Sequence, residues 1–122
     1  MKKIKITTSN VSVHAELNDT NTAESIWQAL PISGSAHLWG QEIYFIIPLK
    51  LDSEDGKETV QLGDLGYWPE GKAFCIFFGQ TPISGPDEIR PASAVNVFGK
   101  LTGDPKAFLE VLEGDSITIQ RD

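Results

Sequence analysis

The densest apolar segment of the chain, residues 63–79, constrains the fold more than any other stretch of the sequence. Within it, residues 73–78 (AFCIFF) are apolar without a break. A short apolar run rich in aromatic residues and bounded by turn residues is typical of a β-strand buried on both faces. Pro69, Glu70 and Gly71 favour a tight turn just before this run, because proline presets φ and glycine closes the turn. We therefore expect a β-hairpin over residues 63–79 at the centre of a β-rich core.

Alternating apolar and polar residues predict further strands on both sides of this hairpin. The predicted strands are 3–8 and 11–17, which form a hairpin around Ser9 and Asn10, then 35–39, 42–51, 58–62, 94–101 and 116–120. Residues 52–56 (DSEDG) are polar and suit a hairpin tip, so 58–62 is predicted as the return strand of 42–51. The segment 80–93 contains three prolines and is predicted as a long loop, a type that is often functional or mobile.

A first helix is predicted near residues 21–30. Asn21 can cap its first turn, and Glu24 can reach back to complete a capping box. The apolar stripe at helical spacing consists of Ala23, Ile26, Trp27 and Leu30. Pro31 then ends the helix, because proline cannot continue the helical hydrogen bonds.

A second helix is predicted near residues 104–113. Asp104 is a good capping residue, and Pro105 suits the first helical position. The apolar stripe consists of Ala107, Phe108, Val111 and Leu112, and Gly114 provides a C-terminal stop. Many short antiparallel strands in one domain must close or stack to hide their edges. We therefore predict one domain, residues 1–122, that is mainly β: a closed antiparallel barrel with an α-helix over each end.

Composition excludes several classes of partner. The net charge is −7, and the only basic cluster is Lys2, Lys3 and Lys5, so neither nucleic acid nor an anionic membrane is expected to bind. No apolar run approaches the ~20 residues of a membrane span, and no apolar signal region follows the first lysines. The cytoplasm is therefore the expected location.

Few residues suggest metal, redox or cofactor chemistry. Cys75 is the only cysteine, so no internal disulfide can form, and its place in the apolar run predicts a buried, inert thiol. His14 and His37 stand on separate strands without another histidine or cysteine nearby, so no zinc site is predicted. No phosphate-binding loop or dinucleotide fingerprint occurs, and no cofactor is expected.

Three blocks of the sequence resemble the cyclophilins. Residues 22–30 (TAESIWQAL) look like T-A-E-N-F-R-A-L, residues 44–48 (YFIIP) look like H-R-I-I-P, and residues 97–101 (VFGKL) look like V-F-G-K-V. The chain is still more similar to a small prokaryotic family of cyclophilin-like proteins of unknown function. The motifs for that likeness are 39–45 (WGQEIYF), 63–69 (GDLGYWP) and 77–82 (FFGQTP). The resemblance implies a cyclophilin-like barrel and does not imply an activity.

The same resemblance predicts no prolyl isomerase activity. Rotation about a peptide bond faces a barrier of ~18–20 kcal/mol, which cyclophilins lower with an arginine that polarises the prolyl amide. Phe45 stands at that position and cannot donate a hydrogen bond. Arg90 and Val95 stand where cyclophilins place a tryptophan and a histidine. A weak isomerase that uses Arg90 from the loop is the alternative.

Polar and aromatic residues cluster beside turns in three segments, and these residues are the candidate ligand-binding site. They are Trp39, Glu42, Tyr44, Asp64, Tyr67, Trp68, Gln80 and Thr81. Aromatic rings with a few polar groups are typical of pockets for small ligands. The hypothesis is a binding protein for a small molecule or peptide that carries an amine, amide or hydroxyl. One alternative is that the rings of Trp39, Tyr67 and Trp68 only pack in the core and that Asp64 only caps a turn. Others are that Glu42 and Asp64 act as an acid–base pair of an enzyme, or that the chain is a subunit of a homo-oligomer.

Overall fold

A computed structural model describes residues 2–122 as nine β-strands, one α-helix and one short 3₁₀ helix. The strands are β1 (Lys3–Thr7), β2 (Ser12–Leu17), β3 (Ile32–Ser35), β4 (His37–Trp39), β5 (Glu42–Ile46), β6 (Asp64–Trp68), β7 (Ala73–Phe77), β8 (Asn96–Leu101) and β9 (Ser116–Arg121). The helices are α1 (Asn21–Ala29) and the 3₁₀ helix Pro105–Glu110.

All neighbouring strands are antiparallel, in the order β3-β9-β1-β2-β8-β6-β7-β5-β4. The two edge strands, β3 and β4, are consecutive in the chain and are separated only by Ala36. The chain therefore passes directly from one edge of the sheet to the other and nearly closes it. This architecture confirms the predicted mainly-β, cyclophilin-like barrel.

The seam between β3 and β4 is covered by the turn before β9. The N–H of Ala36 donates to the Asp115 carbonyl, and the Ala36 carbonyl accepts from the Gly114 N–H, both at 2.8 Å. The Glu113 carboxylate accepts from the Leu38 N–H at 2.8 Å. The N–H and carbonyl of Ala36 and the N–H of Leu38 are thus satisfied at the seam without a tenth strand.

The central hairpin forms as the sequence predicts. Tyr67 pairs with Phe74 in the register of β6 and β7, and every residue of β7 is buried. The turn closes with the Lys72 N–H donating to the Pro69 carbonyl at 3.3 Å. Phe74 points into the barrel, where its ring packs against those of Phe45 and Phe98 at 5.2 and 5.0 Å between centroids. The core thus lies inside the barrel, behind this hairpin.

The prediction of strands at 42–51 and 58–62 is wrong in part. β5 ends at Ile46 and pairs with β4 and β7, while residues 57–60 make only the isolated bridges Lys57–Val95 and Val60–Ile89. Beyond β5 the backbone is held by a side chain, because the Tyr67 hydroxyl donates to the Leu49 carbonyl and accepts from the Leu51 N–H. The predicted strand 35–39 is also divided, since its two halves pair with different neighbours.

Both predicted helices exist, with different caps or geometry. Thr20, rather than Asn21, caps α1, because its hydroxyl accepts from the Ala23 N–H. The Glu54 carboxylate accepts from the first two N–H groups of the helix, a role that the sequence predicted for Glu24. The opposite charge of the helix N-terminus explains why a carboxylate binds there. A hydrogen bond from the Thr22 hydroxyl, together with those from the two N–H groups, lowers the pKa of Glu54.

The second helix is a short 3₁₀ helix rather than the predicted α-helix over 104–113. Asp104 caps it as expected, accepting from the Lys106 N–H at 3.0 Å. The helix stops early because Val111 is already extended, with φ −80° and ψ 135°. Phe108 is nevertheless fully buried, so this helix covers the core with one aromatic ring.

Candidate functional site

The outer faces of the central strands form a second apolar cluster, separate from the barrel core. We call it the outer cluster, and its buried members are Val60, Ala73, Cys75, Phe77 and Val95. Because side chains alternate along a strand, Cys75 and Phe77 face outward where Phe74 and Ile76 face inward. The outer cluster is therefore a face of the sheet that the barrel does not need for its own closure.

A cavity of about 250 Å³ lies against the outer cluster. The sheet lines it with Trp39, Glu42, Tyr44, Trp68 and Cys75, and the loop on the opposite side lines it with Pro91, Ala92 and Val95. Apart from Glu42, the lining is mostly apolar and aromatic. Such walls around one polar group are typical of a small-ligand site.

The strand register explains why these residues meet. Trp39 is directly opposite Glu42 in the pairing of β4 with β5, and Tyr44 is directly opposite Cys75 in the pairing of β5 with β7. Cross-strand partners share one face of a sheet. Trp68, opposite Ala73, extends the same face onto β6. Four predicted candidates, Trp39, Glu42, Tyr44 and Trp68, thus line one cavity, and their ligand-binding role remains a prediction.

Glu42 is the one buried carboxyl group in this cavity. The residue is 5% exposed, and its Oε1 has no hydrogen-bond partner among the described residues. Burial raises its pKa to about 7, and the nearby Cys75 thiol offsets the rise only in part. No lysine, arginine or histidine is among the lining residues. A carboxylate with one oxygen unpartnered in an apolar surrounding is costly, so Glu42 has capacity to bind a further polar group.

Cys75 is a free, buried cysteine whose surroundings disfavour the thiolate. Burial raises the pKa of its thiol well above the usual range, and the charge of Glu42 raises it further. Reaction and metal binding both require the thiolate. The predicted location of Cys75 in the core run is confirmed, and its contact with the cavity is an addition that the sequence did not indicate.

A chain of hydrogen bonds attaches the loop to the sheet beside the cavity. The Trp68 indole Nε1 donates to Ser93 Oγ at 2.6 Å, and Ser93 Oγ donates to the Glu70 carboxylate at 3.0 Å. Trp68 is only half-buried, so its ring stands between the cavity and the surface. The chain positions both the ring and the adjacent residues Pro91 and Ala92.

Gln80 and Thr81, two of the predicted site residues, lie outside the cavity. Gln80 Nε2 donates to the carbonyls of Gly85 and Pro86 at 2.7 and 3.1 Å. The Thr81 hydroxyl donates to the Arg90 carbonyl. These loop carbonyls have no partner in a strand, so the side chains of Gln80 and Thr81 satisfy them. The two side chains thus hold the loop 80–93 folded back over the outer cluster.

Asp64 and Tyr67 also lie outside the cavity. Tyr67 is fully buried and its hydroxyl is used by Leu49 and Leu51. Asp64 accepts from the Gln61 N–H at 2.8 Å and borders a different depression together with Lys100. Burial raises the pKa of Asp64.

Glu42 and Asp64 do not form an acid–base pair in one site. They belong to β5 and β6, which are separated by β7, so their backbones are about 10 Å apart at the usual strand spacing. The buried ring of Phe77, opposite Glu42 on β7, lies in the intervening strand. The geometry therefore leaves Glu42 as a lone carboxyl group in its cavity.

Neither arginine lines the cavity, and Phe45 faces away from it. Phe45 is 1% exposed and belongs to the barrel core. The Arg90 guanidinium pairs with the Glu88 carboxylate at 2.8 Å, and that of Arg121 lies 4.5 Å from the Trp27 ring centre. The cavity thus lacks a cationic donor that could polarise a prolyl amide.

Residues 2–122 contain neither a helix that could span a membrane nor a group of side chains that could hold a metal ion. No helix in this range is long and apolar enough to cross a membrane. The same residues contain no group of three or more histidine, cysteine, aspartate or glutamate side chains placed to hold a metal ion.

Comparison with known proteins gives a family and two similar folds. The family model described as Cyclophilin-like matches residues 2–120. The solution structure of the hypothetical protein AF2241 from Archaeoglobus fulgidus is 39% identical, with a TM-score of 0.82 over 99% of this chain and 95% of that chain. The structure of McbB in complex with tryptophan is 14% identical, with a TM-score of 0.76 over 98% of this chain and 44% of that chain, and is a likeness of fold alone. A search of curated proteins found no match.

Proposed function

The chain belongs to the Cyclophilin-like family, and we propose that it is a binding protein whose ligand is a small molecule or one side chain of a peptide. The observation that carries the proposal is the buried carboxyl group of Glu42, which lines an otherwise apolar cavity and has one oxygen, Oε1, without a hydrogen-bond partner. A buried polar atom without a partner costs about 1–3 kcal/mol. A ligand that supplies the missing hydrogen bond recovers this cost.

The size of the cavity limits the ligand. Its volume of about 250 Å³ is close to the lower end of the range for small-molecule sites, roughly 300–1,000 Å³. This volume fits one ring with a short chain and excludes an extended peptide. The aromatic lining from Trp39, Tyr44 and Trp68 favours a flat apolar body, and Glu42 favours one polar end that carries an amine, amide or hydroxyl.

Binding fits the geometry better than catalysis does. A carboxyl group with a pKa of about 7 has a suitable affinity for protons to act as a general base. An acid–base enzyme, however, needs a second group within reach of the substrate, and Asp64 borders a different depression. The cavity offers a single carboxyl group that can contact a ligand. This group can position the ligand, but the cavity contains no second carboxyl group to complete an acid–base mechanism.

A thermal-shift screen against a library of metabolites and short peptides tests the proposal. A ligand at ~100 times its dissociation constant stabilises the folded protein by about 2.7 kcal/mol. We expect Tyr44→Leu and Glu42→Gln to abolish or weaken the shift. Asp64→Asn is the matched control, because it also removes a buried carboxyl group but lies outside the cavity. Hits that are insensitive to both cavity variants would show that the site lies elsewhere.

A further inference from the structure

We infer that the ligand carries a protonated amine, which donates to the carboxyl group of Glu42 while its apolar body lies against the rings of Trp39, Tyr44 and Trp68. This inference rests on the proposed function and narrows it from any hydrogen-bond donor to an organic cation. The assignment depends on three features of the cavity: its charge balance, its aromatic walls and the groups that surround Glu42.

The charge balance favours a cation. The ionised Glu42 brings one negative charge into a cavity whose other lining residues are uncharged at neutral pH. A buried charge is costly unless an opposite charge pairs with it. An ammonium group pairs with the carboxylate and donates a hydrogen bond to it in the same contact, and such charge-assisted hydrogen bonds are about twice as strong as neutral ones. An anionic ligand would bring a second negative charge beside the first.

The aromatic walls favour the same charge. The face of an aromatic ring carries negative charge density, so a cation within about 6 Å of it is attracted. Trp39 is the cross-strand partner of Glu42, and Tyr44 lies two residues further along the same strand face. A cation that pairs with the Glu42 carboxylate therefore binds beside two aromatic residues on the same sheet face. The net charge of −7 also attracts cations to the protein as a whole.

Amine binding and the protonation of Glu42 are linked. With the cavity empty, Glu42 is largely protonated below about pH 7. A bound ammonium favours the ionised carboxyl and lowers the pKa of Glu42, so binding at acidic pH releases a proton. The affinity for an amine therefore rises with pH and levels off above about pH 7, until the amine itself loses its proton near ~10. A neutral ligand that accepts from protonated Glu42 would show the opposite dependence.

Few other groups can produce this pH dependence. Tyr44 on β5 and Cys75 on β7 face Glu42, and the thiol pKa is raised by burial. His37 on β4 packs against the outer side of Tyr44, with 5.2 Å between ring centres, and Glu70 reaches the cavity margin through Ser93. The lining residues of the loop are not titratable. His37→Asn is therefore the control that distinguishes a pH dependence caused by this histidine from one caused by Glu42.

Three probes of matched shape test the inference: 2-phenylethylamine, 2-phenylethanol and 3-phenylpropionate. Titrations follow the fluorescence of Trp39 and Trp68, together with calorimetry in two buffers of different ionisation enthalpy, at about pH 5.5 and about pH 8. We expect the amine to bind at least about tenfold more tightly than the alcohol at about pH 8, and about tenfold more weakly at about pH 5.5 than at about pH 8. Calorimetry at about pH 5.5 should show proton release.

Variants separate this inference from the proposed function. Glu42→Gln should reduce amine binding to the level of the alcohol and remove the pH dependence, whereas Asp64→Asn and His37→Asn should keep both. Equal or tighter binding of the alcohol or the propionate in the same cavity would overturn the amine assignment and leave the binding function intact. Failure of all three probes to bind would also overturn the amine assignment, while the binding function fails only if no ligand in the library screen responds to Tyr44→Leu or Glu42→Gln.

Discussion

The two faces of β7 illustrate how differently the same strand is used. On the inner face, Phe74 and Ile76 are fully buried and belong to the apolar core cluster inside the barrel. On the outer face, Cys75 and Phe77 are covered by a loop, beside a cavity with an unpartnered carboxyl group. The inner face stabilises the barrel, and the outer face tolerates a costly polar group because the barrel closes without it. Sites of function are expected where such costs are accepted.

The largest expected effect comes from truncating one phenylalanine on each face. Phe74→Ala should lower the free energy of unfolding by about 3–5 kcal/mol. The packed rings of Phe45 and Phe98 have little freedom to move into the void that the substitution leaves. Phe77→Ala should lower the free energy of unfolding by at least about 1 kcal/mol less than Phe74→Ala does, because the loop that covers Phe77 can move into the void left by its ring. Urea unfolding at one pH measures both variants. An equal or larger loss for Phe77→Ala would show that the outer cluster is as rigid as the core.

The next effect is the pH dependence caused by Glu42. Its pKa is about 7 in the folded protein, against an ordinary 4.5, so the folded state holds the extra proton between these values. Stability should therefore fall as pH rises from about 4.5 to about 7, by up to about 3 kcal/mol, and then stay level. Below this window the penalty is absent.

Comparison with Glu42→Gln isolates this contribution. The variant should be more stable than the natural protein near pH 8 and equal to it near pH 4.5, because only the natural side chain ionises. Denaturant unfolding across this pH range gives the difference in unfolding free energy between the two proteins at each pH. The contributions of the other carboxyl groups are the same in both proteins and cancel in this difference. A flat difference curve would mean that Glu42 is ionised without penalty and that a partner or water satisfies it.

The smallest expected effect tests the attachment of the loop. Ser93→Ala removes the acceptor for the Trp68 indole and the donor to Glu70, which should cost about 1 kcal/mol. The same variant should increase quenching of tryptophan fluorescence by acrylamide, since the Trp68 ring is released toward solvent. Ser116→Ala, at an exposed position on β9, is the matched control. Unchanged quenching in Ser93→Ala would show that packing alone holds the loop.

The sequence predicted local features well and long-range contacts poorly. The hairpin of β6 and β7 and the Asp104 cap depend on neighbouring residues, and both were predicted correctly. The strand at 58–62 was wrong, because alternation of side chains does not reveal whether a partner strand is present. The cap supplied by Glu54 to α1 joins residues more than thirty positions apart, which no local pattern can show.

The candidate site was predicted in part for the same reason. Trp39, Glu42, Tyr44 and Trp68 line the cavity, and the first three stand in one short segment whose register follows from alternation. Pro91 and Ala92 were not predicted as site residues, since they meet the sheet only when the loop folds back, and Val95 was expected in a strand without a role in the site. The one available signal was the length and proline content of the segment 80–93, which indicated a loop with a possible function but not its contacts.

A strand edge with free N–H groups is the place where a second chain adds to a sheet and starts a polymer. In this barrel both edges belong to consecutive strands, so a single local opening at residues 32–39 would expose them together. The N–H groups of Ala36 and Leu38 are occupied by the Asp115 carbonyl and the Glu113 carboxylate, respectively. The turn 113–115 thus protects the protein from edge-to-edge aggregation at high concentration, and its carboxylate adds a charge that a growing fibril would have to bury.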